Sequence, residues 1–214
     1  EPETQKCEAI LQAWYPGQQG GTAVAEVLFG DYNPAGKLPV TFYRNVSQLP
    51  DFEDYNMAGR TYRYMQDVPL FPFGYGLSYT TFGYGKTVLD KNELTAGQSL
   101  KLTVPVTNTG KRNGEEVVQV YLRKQGDAEG PIKTLRAFKR VSIPAGKTVN
   151  VEFDLKDKEL EWWDDQSNTV RVCPGSYDIM VGGSSKEEDL QRTTVAIRLR
   201  SEEHTSELQS PDHL

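Results

Sequence analysis

The densest local supply of groups able to move protons is the run Asp51-Phe52-Glu53-Asp54-Tyr55. Cleavage of a glycosidic bond needs two carboxyls about 5 to 9.5 Å apart, one acting as acid and the other as base or nucleophile. Neighbouring carboxylates on one loop rarely converge on a substrate from opposite sides, so this run is expected to bond within the loop or face solvent. A few residues on, Gly59 to Gln66 reads GRTYRYMQ, setting Arg60, Tyr62 and Tyr64 against Thr61, Arg63 and Met65. Tyrosine faces and arginine forks suit sugar rings and their hydroxyls. The same alternation also describes an edge strand whose arginines pair with Asp51, Glu53 or Asp54, and the two readings are compatible.

Other candidate chemistry is weaker. The loop PGQQGG at Pro16 to Gly21 precedes a helical run, yet it lacks both the GxGxxG spacing and the Lys-Ser/Thr of a phosphate-binding loop. Close backbone packing is expected there instead. Trp162 and Trp163 are either a stacking platform for carbohydrate or a pair with one ring in a core and one near the surface. Cys7 and Cys173 lie far apart without metal-ligand spacing and read as two buried thiols. The two histidines, His204 and His213, both fall in the terminal stretch RSEEHTSELQSPDHL. That stretch follows neither strand nor helix periodicity and resembles the in-frame translation of a sequencing-library adapter through at least Ser210. Residues 200–214 are therefore set aside as a tail, with natural sequence expected to stop near Leu199.

The elements that must position these groups change character along the chain. The 214 residues carry a net charge of −6 and no basic stripe able to replace phosphate counterions, which argues against a nucleic-acid partner and favours a neutral, hydroxyl-rich one. No apolar run approaches the roughly 20 residues that span a bilayer. Glu8 to Trp14 reads as a buried strand, Thr22 to Gly30 as a helix with Val24, Val27 and Leu28 on one face, and Leu38 to Phe42 as a short strand after a turn at Asn33 to Gly36. Strand, glycine-rich loop and helix form half of an α/β unit, in which ligands sit at the carboxyl ends of strands. Tyr43 to Tyr84 is dense in aromatics, glycine and proline, and is expected to be an ordered crossover packed on a surface.

From Val88 onward apolar residues alternate. Leu100, Leu102, Val104 and Val106 share one face, as do Val118, Val120 and Leu122, then Val141 and Ile143, then Val149, Val151, Phe153 and Leu155, then Tyr177, Ile179 and Val181, and finally Val195, Ile197 and Leu199. Glycine turns at Gly97, Gly110, Gly146 and Gly175 separate such runs. About seven short strands over about 110 residues predict a two-sheet sandwich of immunoglobulin or fibronectin type III kind. The fold class expected is thus an α/β partial domain followed by an all-β immunoglobulin-like sandwich.

Three stretches carry a family resemblance: AILQAWYPGQQGGTAVAEVLFGDYNPAGKLPVTFY, DYNMAGRTYRY and PLFPFGYGLSYTTFGYG. They resemble the final third of the β-glycosidases of glycoside hydrolase family 3, and GRTYRY is similar to the bacterial β-xylosidases and β-glucosidases within it. The resemblance implies that residues 1–83 end an α/β sandwich domain and that residues 84–199 form a fibronectin type III-like domain. It also implies a retaining, exo-acting hydrolysis of plant-derived oligosaccharides, without cofactor or metal, outside the cytoplasm in the periplasm or extracellularly. The catalytic aspartate and glutamate of the family belong to segments preceding these motifs, so neither maps onto a residue here, and this chain alone is expected to be inactive. The expected partners are the oligosaccharide and the upstream barrel and α/β portion of the same enzyme. Asp54, Tyr55, Arg60 and Tyr62 are the residues expected to line the rim of the site. The alternative is a non-catalytic carbohydrate-binding or domain-packing module.

Overall fold

The computed structural model describes residues 6–199, so the expectation for the tail at 200–214 lies outside the described residues. In chain order the elements are α1 (Gly20–Phe29), α2 (Thr61–Tyr64), β1 (Phe82–Tyr84), β2 (Val88–Leu89), β3 (Glu93–Thr95), β4 (Leu100–Asn108), β5 (Gly114–Lys124), β6 (Thr134–Ile143), β7 (Thr148–Leu155), α3 (Asp157–Leu160), β8 (Trp162–Asp164), β9 (Thr169–Arg171), β10 (Gly175–Gly182) and β11 (Leu190–Arg198). The division expected at 83/84 falls inside β1. None of the described helices is long and apolar enough to cross a membrane.

The expected helix is present as α1. Alanine, leucine and glutamate favour the helical backbone, and Gly30 ends it at φ 81°, returning its N–H to the Val27 carbonyl. That left-handed cap is the conformation glycine adopts without a Cβ penalty. The two strands expected around α1 are not formed. Glu8 to Trp14 has no regular structure, and Leu38 to Phe42 is reduced to a single bridge between Phe42 and Phe71. A strand is stabilised by its ladder, and no described strand lies alongside either segment.

The sandwich forms as expected. In one sheet β4 has β7 along one edge and β1 followed by β2 along the other; the second sheet runs β3-β11-β10-β5-β6, parallel only between β3 and β11. A separate hairpin pairs β8 with β9. Period-two burial is explicit in β4, where Leu100, Leu102, Val104 and Val106 point inward and are at most 1% exposed. Each such side chain contributes roughly 1.5 to 3 kcal/mol of burial. Facing them are Val118, Val120 and Leu122 from β5, Tyr177, Ile179 and Val181 from β10, and Val195 and Ile197 from β11.

Burial is divided sharply along the chain. Among the described residues the buried hydrophobic side chains all follow Leu94 except Ala35, whereas sixteen of the twenty exposed large hydrophobics lie between Ile10 and Tyr79. Trp162 is buried and Trp163 about half exposed, one ring in and one out. Cys173 is buried but Cys7 is exposed, so the expectation of two buried thiols holds for one of them.

Candidate functional site

The loop that carries the carboxylates is tied mainly to itself. Asp54 Oδ1 accepts from the Asn56 backbone N–H at 2.9 Å and from Asn56 Nδ2 at 2.8 Å. The Asn56 backbone bond is the main force holding the Asp54 carboxyl below its ordinary range. Arg60 Nε donates to the Asn56 carbonyl at 2.9 Å and its NH2 to the Asp54 carbonyl. A planar guanidinium fork suits two convergent acceptors, and here both are backbone oxygens. Tyr55, between them, is exposed. The structure therefore brings Asp54, Tyr55 and Arg60 into one clamped loop.

Tyr62 is placed differently. Gly59 (φ 71°) and Thr61 (φ 57°) turn the backbone, so that residues 61–64 form the single helical turn α2 and not the edge strand the alternation suggested. The Arg60 fork goes to carbonyls instead of pairing with the carboxylates. The Tyr62 ring stacks on Phe73 with centroids 4.3 Å apart and meets Tyr121 edge-on at 5.8 Å. Its hydroxyl accepts from the Leu135 N–H at 3.1 Å, so both ring and hydroxyl are engaged between the aromatic crossover and the outer face of β5 and β6.

Around this anchor lies a set of contacts that no local sequence pattern pairs. Gln119 Nε2 donates to the carbonyls of Gly74 (3.1 Å) and Gly183 (2.6 Å), and its Oε1 accepts from the Tyr121 hydroxyl at 2.6 Å. The Ser185 N–H reaches the Phe73 carbonyl at 2.9 Å, and the Ile132 N–H the Arg63 carbonyl at 2.6 Å. Lys37 Nζ donates to the Gly76 carbonyl at 3.1 Å and lies 3.0 Å from Glu116 Oε1. Asn33 closes the far end, donating to the Asn113 carbonyl at 2.9 Å and accepting from Ser78 and Tyr79, each at 2.8 Å. Burial pushes the hydroxyls of Tyr84 and Tyr121 well above the usual phenol range, so both stay protonated as structural groups.

Chemically, this arrangement is a wall and a fastening. The Asp51 and Asp54 carboxylates accept turn hydrogen bonds, and buried Gln119 and Glu116 join the first 80 or so residues to the sandwich. Known proteins share both parts. Residues 1–79 match the glycosyl hydrolase family 3 C-terminal domain, and residues 116–185 match the fibronectin type III-like domain.

The chain belongs to glycosyl hydrolase family 3. It corresponds to that family's C-terminal region, as the two matched domains in this order require. Over 197 residues it is 55% identical to a xylan 1,4-β-xylosidase of Xylanibacter ruminicola, a match covering 92% of this chain and 22% of that protein. A periplasmic β-glucosidase of Salmonella typhimurium is 38% identical, over 86% of this chain and 26% of its own. Among solved structures, a β-glucosidase from Erythrobacter marinus superposes with a TM-score of 0.78 at 41% identity, covering 91% of this chain and 26% of that one. A Listeria innocua β-glucosidase in complex with glucose gives 0.76 at 31% identity, covering 91% and 28%. The chain thus spans about a quarter of the length of these family 3 relatives.

Proposed function

We propose that this family 3 chain is the C-terminal part of a retaining, exo-acting β-glycosidase, a β-xylosidase or β-glucosidase that releases single sugars from short plant-derived oligosaccharides. The observation that carries the reading is the 55% identity to a xylan 1,4-β-xylosidase, continuous across both domains. In this reading the catalytic aspartate and glutamate reside in the remaining three quarters of the enzyme, and the 214 residues alone do not hydrolyse substrate. The apolar surface between Ile10 and Tyr79 packs against that upstream barrel and α/β portion. The clamped loop of Asp54, Tyr55 and Arg60 stands at the rim of the site, with Tyr62 anchoring it from behind. In this reading the enzyme works in the periplasm or outside the cell, a placement supported by the likeness to a periplasmic β-glucosidase of Salmonella typhimurium.

The test is to recover the coding sequence upstream of Glu1 and to assay the longer protein on aryl β-xyloside and aryl β-glucoside. Cleavage with retention supports the reading and identifies the sugar; a longer protein inactive on both overturns it. One observation favours the second reading, a non-catalytic carbohydrate-binding module. Trp163 is half exposed on β8, with its Nε1 fixed by Asp165 at 2.8 Å. Loss of sugar affinity in Trp163→Ala is the result that would support that reading.

A further inference from the structure

A groove of about 550 Å³ runs between the loop segments flanking α2 and the loop that joins β5 to β6. Its size falls within the range of small-molecule sites, about 300 to 1,000 Å³. One wall carries Tyr64, Gln66 and Asp67; the other carries Glu129. Small residues, Ala58 and Gly59 on one side and Ala128 and Gly130 on the other, keep it open.

The walls are set before any ligand arrives. Asp127 accepts from the Gly130 N–H at 2.8 Å and from Trp162 Nε1 at 2.6 Å, which pins the β5–β6 loop to a buried indole. The Ile132 N–H to Arg63 carbonyl bond, 2.6 Å, joins the two walls. Opposite, Gln48 accepts from the Arg44 N–H at 2.7 Å and donates to the Val68 carbonyl at 3.2 Å. A site fixed in this way loses little entropy on binding.

The lining chemistry selects the ligand. Among the described residues no lysine, arginine or histidine lines the groove, so its lining offers no cationic side chain to a phosphate or carboxylate. The side chains of Gln66, Asp67 and Glu129 make no hydrogen bond or ion pair with any described residue, leaving two carboxylates as acceptors and an amide as both donor and acceptor. Acceptors of this kind take hydroxyl donors or cations. The Arg63 guanidinium sits 5.5 Å from the centre of the Tyr64 ring, which disfavours a second cation at that ring. A neutral, hydroxyl-rich ligand with a face to lay on tyrosine satisfies all of these groups.

We propose that this groove binds a short neutral oligosaccharide, so that the sandwich contributes Glu129, through its β5–β6 loop, to holding the sugar chain. The inference rests on the glycosidase reading for the identity of the sugar, but it is tested on the present chain without hydrolysis. The 214-residue protein, labelled with 15N, is titrated with xylotriose and with cellotriose while its amide spectrum is followed. Saturable shifts at residues 64–67 and 128–132 with either sugar are expected, weakened about fivefold or more in Asp67→Asn and again in Glu129→Gln, each of which removes one hydrogen-bond acceptor charge. Both residues are exposed, so these variants keep the fold. Ala128→Trp, filling the groove, should abolish the shifts with the remaining spectrum unchanged.

No shift there with either sugar, or shifts unaltered by both carboxylate substitutions, overturns the proposal. So does a response to calcium chloride at these amides with none to sugar. If the longer protein cleaves aryl glycosides while this chain binds neither trisaccharide, the groove assignment fails and the enzyme reading stands. Binding by this chain with no cleavage by the longer protein gives the reverse outcome.

Discussion

Lys37 Nζ lies 3.0 Å from Glu116 Oε1, joining a loop of the amino-terminal segment to β5 in surroundings that leave the carboxylate side chain 7% exposed. Burial pushes the Glu116 carboxyl up, against the opposing pull of Lys37. Its folded pKa therefore lies above the ordinary value of 4.5, so its contribution to stability is full below that value and falls as pH rises through the raised one. Lys37→Met leaves the buried carboxylate without a counter-charge and should cost about 3 kcal/mol at neutral pH. That cost should shrink as pH falls toward 4.5, because the raised Glu116 carboxyl takes up its proton before that point. Lys37→Met/Glu116→Gln should return most of the loss, and urea unfolding of the three proteins between pH 4 and 8 measures this.

Glu187 should behave in the opposite sense. The hydrogen bond from Lys133 Nζ, 2.8 Å, is the main force holding its carboxyl below the ordinary range. Its contribution is present above the ordinary value of 4.5 and is lost as pH falls through the lowered one. Because Glu187 is more than half exposed, solvent limits the effect to under about 1 kcal/mol. Glu187→Gln should lower the melting temperature slightly at pH 7 and not at pH 2.

Tyr62 anchors the crossover by a stack, an edge contact and a hydrogen bond. Tyr62→Ala should cost about 3 kcal/mol or more. Tyr62→Phe, which removes only the acceptor for the Leu135 N–H, should cost about 1 kcal/mol. Denaturant midpoints compare the two; equal effects would show that the ring contacts carry no weight.

Two glycines in the crossover allow it to lie flat. A Cβ at Gly76 would run into the Gly36 carbonyl, and one at Gly74, where φ is 77°, would run into the Gln119 amide. Gly76→Ala should destabilise by about 1 to 3 kcal/mol through backbone displacement. Gly74→Ala adds the strain of a left-handed residue. Amide exchange at Tyr75 and Leu77 should quicken in both variants.

The crossover also decides what folds alone. Tyr121 and Gln119 on the outer face of β5 are buried by residues 62–76, although they belong to the sandwich. A protein of residues 57–199 should melt cooperatively and at higher temperature than one of residues 84–199, which loses that cover and part of β1. Residues 1–83 alone, with their large hydrophobics exposed, should aggregate or remain partly disordered. A compact, cooperatively melting 1–83 would contradict the packing argument.

Local sequence pattern was sufficient for the sandwich. Period-two alternation in Leu100 to Val106 or Tyr177 to Val181 is a local signal that states which face is buried, and the glycine turns set the strand limits. It also determined α1 and its stop at Gly30, because propensity and capping act within a few residues. Three stretches, 9–43, 54–64 and 69–85, carried the family resemblance. Tertiary structure alone decided what the aromatic segment does: the alternation of GRTYRYMQ gave way to a helical turn because Tyr62 finds Phe73 and Tyr121, and Arg60 finds two carbonyls. It alone paired Lys37 with Glu116, and set residues 64–67 opposite Glu129. Such partners lie far apart in the chain, and periodicity carries no information about which distant residue a side chain will meet.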